Sequence, residues 1–214
     1  MKKNYVSNSE ASVKMFNNRL LEFFSKVHFS VPLFVYIPVV LVFSVKAFAQ
    51  NISIIYFVLY FAVGLLVWTA TEYLLHRYVF HFVPSSGWGK RLHFIFHGVH
   101  HDYPRDAKRL VMPPSASIPL ATGFYFLFTL FFSIKANLFA FFAGFITGYL
   151  IYDMLHYAMH HYNFKSSLMK KVKQHHMLHH YGDASKGYGV SSSLWDIILR
   201  SGFNTKEKYE RSSS

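Results

Sequence analysis

The chain has 214 residues, of which 52% are hydrophobic and 20% aromatic, and it carries a formal net charge of +12. A soluble domain rarely combines so many aromatic side chains with so large a basic excess. Insertion into a bilayer accounts for both, because apolar spans face lipid while Lys and Arg collect in the loops on one side. The sequence contains no cysteine, which excludes disulfides, thiolate zinc sites and cysteine-ligated iron–sulfur clusters.

The N-terminal 30 residues are polar and mixed, and the first long apolar run begins at Val31. This pattern does not predict a cleavable signal peptide. We expect residues 1–30 to form a cytoplasmic arm, residues 31–200 a membrane-embedded domain and residues 201–214 a polar C-terminal tail. Within the arm, the segment MFNNRLLEFF either lies amphipathically on the membrane surface or belongs to a disordered leader.

Four apolar stretches are long enough to cross the hydrocarbon core, which takes about 20 residues of helix. Short turns separate the first stretch from the second and the third from the fourth, so the stretches pair as two helical hairpins. The sequence therefore predicts an all-α integral membrane protein with four transmembrane helices. The predicted spans are Val31–Phe48, Ile52–Thr71, Ser115–Ile134 and Asn137–Leu155.

The distribution of basic residues predicts the orientation of these spans. Of the 22 Lys and Arg residues, only Lys46, near the end of the first span, and Lys135 lie at the two short turns. The others lie in the arm, in residues 77–114 or after His160. Because cytoplasmic loops carry the excess of Lys and Arg, the arm, the middle loop and the tail are all expected to be cytoplasmic. This topology explains the net charge without nucleic acid, which is not an expected partner.

Histidine, with 14 copies, is the obvious ligand for a transition metal in this chain. Apart from His28, every histidine falls between His76 and His180, at or beyond the predicted cytoplasmic ends of the second and fourth spans. Ten of them form four groups with spacings typical of metal ligands. The groups are His76 and His81; His97, His100 and His101; His156 and His160; and His176, His179 and His180.

These spacings carry geometric information. Residues three and four apart share a face of a helix, so each of the last three groups can direct its imidazoles towards a common centre. His76 and His81 are five apart, roughly 140° around an ideal helix, and we expect them to flank two neighbouring metals rather than to bind one. Ten imidazoles also exceed the coordination shell of a single ion. The pattern predicts a dinuclear site in a cytoplasmic helical cap.

Four residues near the grouped histidines lie outside the ligand pattern. A single H-x2-H-H motif in a basic segment is more often a solvated patch than a metal site, but four groups on one membrane face favour metal binding. His93 and His161 do not fit the grouping and are expected to have ordinary or supporting roles. Glu72 and Asp153 either accept a ring N–H from a metal-bound histidine or are ordinary interfacial carboxylates.

Four motifs together resemble the fatty acid hydroxylase superfamily of membrane di-iron enzymes, and within it most closely the fatty acid 2-hydroxylases. They are TEYLLHRYVFHF, HFIFHGVHHDYPRDAKRLVMPP, LIYDMLHYAMHH and KQHHMLHHYGDASKGYGVSSSLWD. The resemblance implies that the ten grouped histidines bind two iron ions, and that His93, His161 and His175 are not ligands. It indicates no catalytic residue beyond the metal ligands.

The same resemblance implies the reaction. We expect dioxygen-dependent hydroxylation at C2 of a long-chain acyl group, either a free fatty acid or the acyl chain of a sphingolipid or ceramide. Zinc could occupy the same ligands in recombinant protein. Eukaryotic relatives usually carry a fused haem domain with a His-Pro-Gly-Gly motif. That motif is absent here, so a separate cytochrome b type protein or ferredoxin is the expected electron donor.

Two alternatives remain open. The scaffold also fits a sterol desaturase, a sterol methyl oxidase or a carotenoid hydroxylase, and from a different class a membrane metal transporter. Transporters place their ligands near the bilayer midplane, whereas these histidines cluster at one membrane face. The short arm favours a bacterial inner membrane over the endoplasmic reticulum.

Overall fold

The computed structural model describes residues 6, 7 and 9–204. Every regular element in this part of the chain is a helix, which confirms the predicted all-α class. Most of the predicted C-terminal tail, from residue 205 onwards, lies outside the described residues, as do Lys2 and Lys3 of the arm. The α-helices are α1 (Arg19–Phe24), α2 (Val31–Ala49), α3 (Ile54–Leu74), α4 (Gly87–His93), α5 (Val99–Asp102), α6 (Pro114–Thr129), α7 (Lys135–His161), α8 (Ser167–Tyr181) and α9 (Leu194–Ile198), and two π-helical segments cover Leu75–Phe80 and Phe94–Gly98.

Three helical stretches of the described chain are long and apolar enough to cross a membrane. They are Val31–Ala49, Ile54–Phe80 and Lys135–His161, and they correspond to the first, second and fourth predicted spans, the second of which starts two residues later than predicted. The third predicted span, Ser115–Ile134, is shorter than expected, because its helix α6 ends at Thr129 after 16 residues. At 1.5 Å per residue it is about 24 Å long, somewhat less than the hydrocarbon thickness of about 30 Å.

The described chain forms two compact units. The span unit comprises Lys14–Thr71 and Lys108–Met154, and the histidine unit comprises the described residues of 1–13, 72–107 and 155–214. All ten grouped histidines belong to the histidine unit, since the first of them, His76, follows Glu72 and the last two groups follow Leu155.

Within the span unit, α3 and α7 approach closely at glycines. A Cβ added to Gly64 would lie 2.0 Å from the carbonyl oxygen of Phe141, and one added to Gly144 would lie 1.9 Å from that of Phe61. Gly148 lies one turn beyond Gly144, and a Cβ added there would lie 2.6 Å from Cβ of the α3 residue Trp68. Small residues spaced four apart allow two backbones to come together in this way, and such packing is a main source of helix association in membranes.

The arm contributes a short helix to the span unit. Asn18 caps α1 by accepting hydrogen bonds from the backbone N–H groups of Leu20 and Leu21. Glu22 on α1 forms ion pairs with Lys26, at 2.9 Å, and with the buried Arg109, at 2.6 Å. Burial alone would raise the pKa of Glu22, but hydrogen bonds from Lys26 and from two backbone N–H groups, together with the Arg109 charge, lower it to about 2. The RLLEFF part of MFNNRLLEFF is therefore helical and is held by ion pairs, and its placement on a membrane surface stays a prediction.

Candidate metal centre

The structure brings the ten grouped histidines together in two sets of five. Within each set, the candidate ligand nitrogens all lie within 4.8 Å of one another. Seven of the ten residues are buried and three are half-buried. Group A is His76, His81, His97, His101 and His179, and group B is His100, His156, His160, His176 and His180.

The expectation that His76 and His81 flank two different metals is wrong, because both belong to group A. Their helix does not have ideal α geometry at this point. The backbone N–H of His81 donates to the carbonyl of His76, five residues earlier, which is the hydrogen bond of a π-helix. A π turn holds more residues than an α turn, so residues five apart come onto one face. The Nε2 atoms of His76 and His81 are 3.2 Å apart.

The two H-x2-H-H motifs each divide between the groups, which corrects the expectation of one common centre per motif. His97 and His101 join group A, while His100 joins group B. In α8, His176 and His180 join group B, while His179 joins group A. Each residue of an α-helix is rotated by about 100° from the one before, so the two histidines that are four apart nearly align. The middle histidine of each motif, His100 or His179, is rotated by about 100° from the last one and therefore faces the other group. The H-x3-H pair His156 and His160 stays together in group B, as expected.

The distances between ring nitrogens fit a metal better than a set of hydrogen bonds. In group A, Nε2 of His97 is 3.0 Å from Nε2 of both His76 and His101. In group B, the Nε2 pairs His156–His100 and His160–His176 are each 2.9 Å apart. One proton can link two such nitrogens but not five. Ligands about 2.1 Å from one ion and at right angles to each other would be about 3.0 Å apart, so the donor sets suit one ion each.

Burial keeps these rings in the neutral form that can bind a metal. Removal from water, with nearby histidines as a further cause, lowers the pKa of several candidate ligands well below the ordinary value of histidine. Burial also lowers the pKa of His179 to about 3. At neutral pH the rings are therefore uncharged, and each has one nitrogen with a free lone pair. The pKa is lowered well below 6.5 for His97, His100, His101, His176 and His180.

Two backbone carbonyls set the orientation of group A rings. The Nδ1 atom of His76 donates to the carbonyl of Tyr188, and Nδ1 of His179 donates to the carbonyl of Lys186 at 2.7 Å. A carbonyl can only accept, so the proton is on Nδ1 and the lone pair is on Nε2, the atom that faces the group. Both carbonyls come from the 182–193 loop. The sequence motif GDASKGYGVSS marks this loop, but the two contacts could not be predicted from it.

The two predicted acidic residues accept hydrogen bonds from groups other than histidine rings. Glu72 accepts hydrogen bonds from the backbone N–H groups of Val190 and Ser191, both at 2.8 Å. Asp153 belongs to the span unit, where it accepts a hydrogen bond from the Tyr149 hydroxyl at 3.1 Å. Glu72 therefore holds the 182–193 loop. A direct role for either carboxylate in accepting a histidine ring N–H stays a prediction.

His175 is outside both groups, although it precedes the group B member His176 directly. Its Nε2 atom is 2.9 Å from the carboxylate of Asp196, which is completely buried. Asp196 is a residue that the sequence analysis missed. The motif SSSLWD contains it, but its importance depends on tertiary contacts. His93 and His161 are likewise outside the two groups found among the described residues.

The fold and the site define a helical protein with membrane-length apolar helices and two groups of five histidines, each of which could hold a metal ion. The chain belongs to the fatty acid hydroxylase family, whose model matches residues 61–201. This confirms the resemblance found in the sequence motifs.

Several relatives share most of this chain. A dihydroceramide fatty acyl 2-hydroxylase of Arabidopsis thaliana is 35% identical over 87% of this chain and 78% of its own length. The fatty acid 2-hydroxylase of Rattus norvegicus is 36% identical over 87% of this chain, which spans 56% of that relative. A solved structure of Scs7p, in which only the hydroxylase domain is visible, superposes with a TM-score of 0.82 at 37% identity, over 88% of this chain and 71% of that one.

Proposed function

We propose that this protein is a fatty acid 2-hydroxylase that inserts one oxygen atom from dioxygen at C2 of a long-chain acyl group. The acyl group is a free fatty acid or part of a ceramide. The observation that carries the proposal is the pair of buried five-histidine groups in a chain whose relatives are fatty acid and dihydroceramide 2-hydroxylases. These relatives favour acyl hydroxylation over the sterol, carotenoid and metal-transport alternatives.

Each histidine group would hold one iron ion. Iron, when bound, supplies the activation of dioxygen that amino-acid side chains cannot provide. Zinc has no redox chemistry but also binds imidazole, so protein loaded with zinc would be inactive. The ten histidines therefore act as ligands, while the rest of the chain keeps their rings neutral, buried and correctly oriented.

Hydroxylation also requires two electrons and two protons, because the second oxygen atom leaves as water. These 214 residues contain no cysteine, so a cysteine-ligated iron–sulfur centre cannot lie among them. An external redox partner, of the cytochrome b type or a ferredoxin, would deliver the electrons.

The membrane arrangement is part of the same proposal. Residues 31–200 form the membrane-embedded domain with four spans, of which α6 is the shortest, between an arm at 1–30 and a tail at 201–214. The clustering of Lys and Arg outside the short turns supports cytoplasmic termini and cytoplasmic histidines. The substrate's acyl chain would then reach the site from the bilayer. The relatives described above come from a plant and a mammal, and they give no support for a bacterial membrane.

Expression in a host that makes no 2-hydroxy acyl lipids, under labelled dioxygen, tests the activity. Mass spectrometry should find 2-hydroxy acyl lipids with one labelled oxygen from the native chain and none from His176→Ala. A suitable control is His28→Ala, since His28 is exposed, belongs to the span unit and bonds only locally to Ser30 in the hydrogen bonds found. Equal product from His176→Ala, or labelled oxygen only in sterols or carotenoids, would refute the proposal.

A further inference from the structure

The 182–193 loop is the only part of the described chain seen to supply backbone carbonyls to the histidine rings of group A. These carbonyls belong to Lys186 and Tyr188, and they bind His179 and His76 respectively. Loops are normally the most mobile parts of a fold, yet a ring can be held in place only by an acceptor that is itself fixed. What fixes this loop therefore bears directly on group A.

Asp196 fixes the inner side of the loop. Its carboxylate accepts hydrogen bonds from the backbone N–H groups of Tyr188, at 3.0 Å, and Gly189, at 2.7 Å. It also accepts from the Ser201 hydroxyl at 2.7 Å and faces His175. The residue is 0% exposed, and a buried carboxylate is tolerated only when its oxygens are satisfied in this way. One of its donors is the N–H of Tyr188, the same residue whose carbonyl holds His76.

Glu72 fixes the outgoing end of the loop. It is 5% exposed, and it accepts hydrogen bonds from the N–H groups of Val190 and Ser191 and from the Ser191 hydroxyl. Glu72 lies on α3, one turn before His76. The continuous helical stretch Ile54–Phe80 therefore carries both the group A residue His76 and the carboxylate that anchors the loop.

Two glycines allow the loop to follow this tight path. Gly187 has φ +71, and a Cβ there would lie 2.3 Å from the Phe203 ring. At Gly189, a Cβ would lie 2.1 Å from the carbonyl oxygen of Ser192 and 3.0 Å from Asp196. The glycines of GYGV thus let the backbone approach Asp196 closely enough to hydrogen-bond.

We propose that Glu72 and Asp196 are positioning residues that clamp the 182–193 loop, so that its carbonyls at 186 and 188 fix the rings of His179 and His76 for metal binding. This inference rests on the proposed function of the histidine groups. Because both fixed rings belong to group A, the clamp should control the affinity of group A for metal more than that of group B.

Cobalt(II) titration of the full-length purified protein, after removal of bound metal, measures this difference. Cobalt has a visible ligand-field spectrum and accepts imidazole ligands. The native chain should bind two equivalents. In Asp196→Asn, an amide N–H₂ replaces one acceptor oxygen and opposes the donors around it. The variant should keep one equivalent at native affinity and bind the other about 10- to 100-fold more weakly, the usual cost of losing an outer hydrogen bond to a ligand. Glu72→Gln should behave in the same way.

Two further variants complete the test. Asp183→Asn is the matched control, since Asp183 is a carboxylate of the same loop that bonds to Ser185, and it should bind both equivalents like the native chain. Ser191→Ala removes one donor to Glu72 and keeps the fold intact if the carboxylate variants fail to fold. It should weaken one equivalent only, by a smaller factor.

The outcomes separate this inference from the proposed function. If both equivalents weaken together, or neither weakens in any of the three clamp variants, the clamp is refuted while the dinuclear site stands. If the native chain itself binds no metal, the proposed function fails.

Discussion

Replacing the neighbouring residues His175 and His176 one at a time tests the assignment of ligands within one helix. Both side chains are buried, with exposures of 6% and 1%, and both are histidines in α8. They point about 100° apart. His176 faces group B, where its Nε2 atom is 2.9 Å from that of His160, whereas His175 faces Asp196.

The structure gives different magnitudes for the two changes. His176→Ala removes one of the five nitrogens proposed to share an ion, so the iron content should fall from two ions per chain towards one. Loss of a hydrogen bond to a metal ligand typically costs about 10- to 100-fold in activity, and loss of the ligand itself should cost more. His175→Ala removes one hydrogen bond to a carboxylate, worth about 1.5–3 kcal/mol, while Asp196 keeps its other donors. That loss corresponds to a decrease in Tm of about 3–12 °C, with both irons retained.

The assay combines iron analysis, product formation and thermal unfolding on the same preparations. His175→Ala should retain the iron content and most of the activity of the native chain but melt at a lower temperature. His176→Ala should show the larger loss of both iron and product. Equal iron loss in the two variants, or full iron content in His176→Ala, would refute the ligand assignment.

Three further predictions concern packing, pH and metal identity. Gly144→Leu should lower the Tm strongly, because the new leucine side chain would occupy the space of the Phe61 carbonyl. Gly123→Leu should leave the Tm nearly unchanged, since a Cβ at Gly123 has no neighbour within 4 Å. Similar Tm values for the two variants would contradict the close packing of α3 and α7. The pKa of Glu22 is lowered from 4.5 to about 2, so its ion pairs should stabilise the fold fully above pH 4.5 and lose this effect as the pH falls through 2. The difference in Tm between the native chain and Glu22→Gln should therefore shrink over that range. A constant difference would contradict the lowered pKa. Zinc in place of iron should abolish hydroxylation but should still raise the Tm relative to that of the metal-free protein. Hydroxylation by protein that contains only zinc would contradict the need for a redox metal.

The sequence identified the ten histidines because their spacings are short and periodic. It could not assign them to the right group, because that assignment depends on local helix geometry. A separation of about 140° between His76 and His81 holds for a helix with about 3.6 residues per turn, but the π-helix at Leu75–Phe80 has more residues per turn. A single wider turn is not visible in the pattern of apolar residues, so the angle between the two rings was misjudged.

Contacts that depend on the tertiary fold were also beyond the sequence. Glu72 was selected because it lies one turn before His76, but its backbone partners at Val190 and Ser191 are more than a hundred residues away. Asp196 was missed for the same reason, since neither its burial nor its four donors leave a periodic signal. The glycines of GYGV gave the only local indication of a constrained loop, because a close backbone approach often requires glycine.

Groups A and B are built on different supports, which explains why the clamp should affect them unequally. Group B takes its five histidines from α5, α7 and α8, where regular α-helical hydrogen bonds hold the backbone. In group A, His76 and His97 lie in π-helical segments, and His81 directly follows one. A π turn is rare, interrupts the regular i to i+4 hydrogen bonds of an α-helix, and occurs frequently at functional sites. Group A therefore depends more on contacts from outside its own helices, and the carbonyls of Lys186 and Tyr188 are two such contacts.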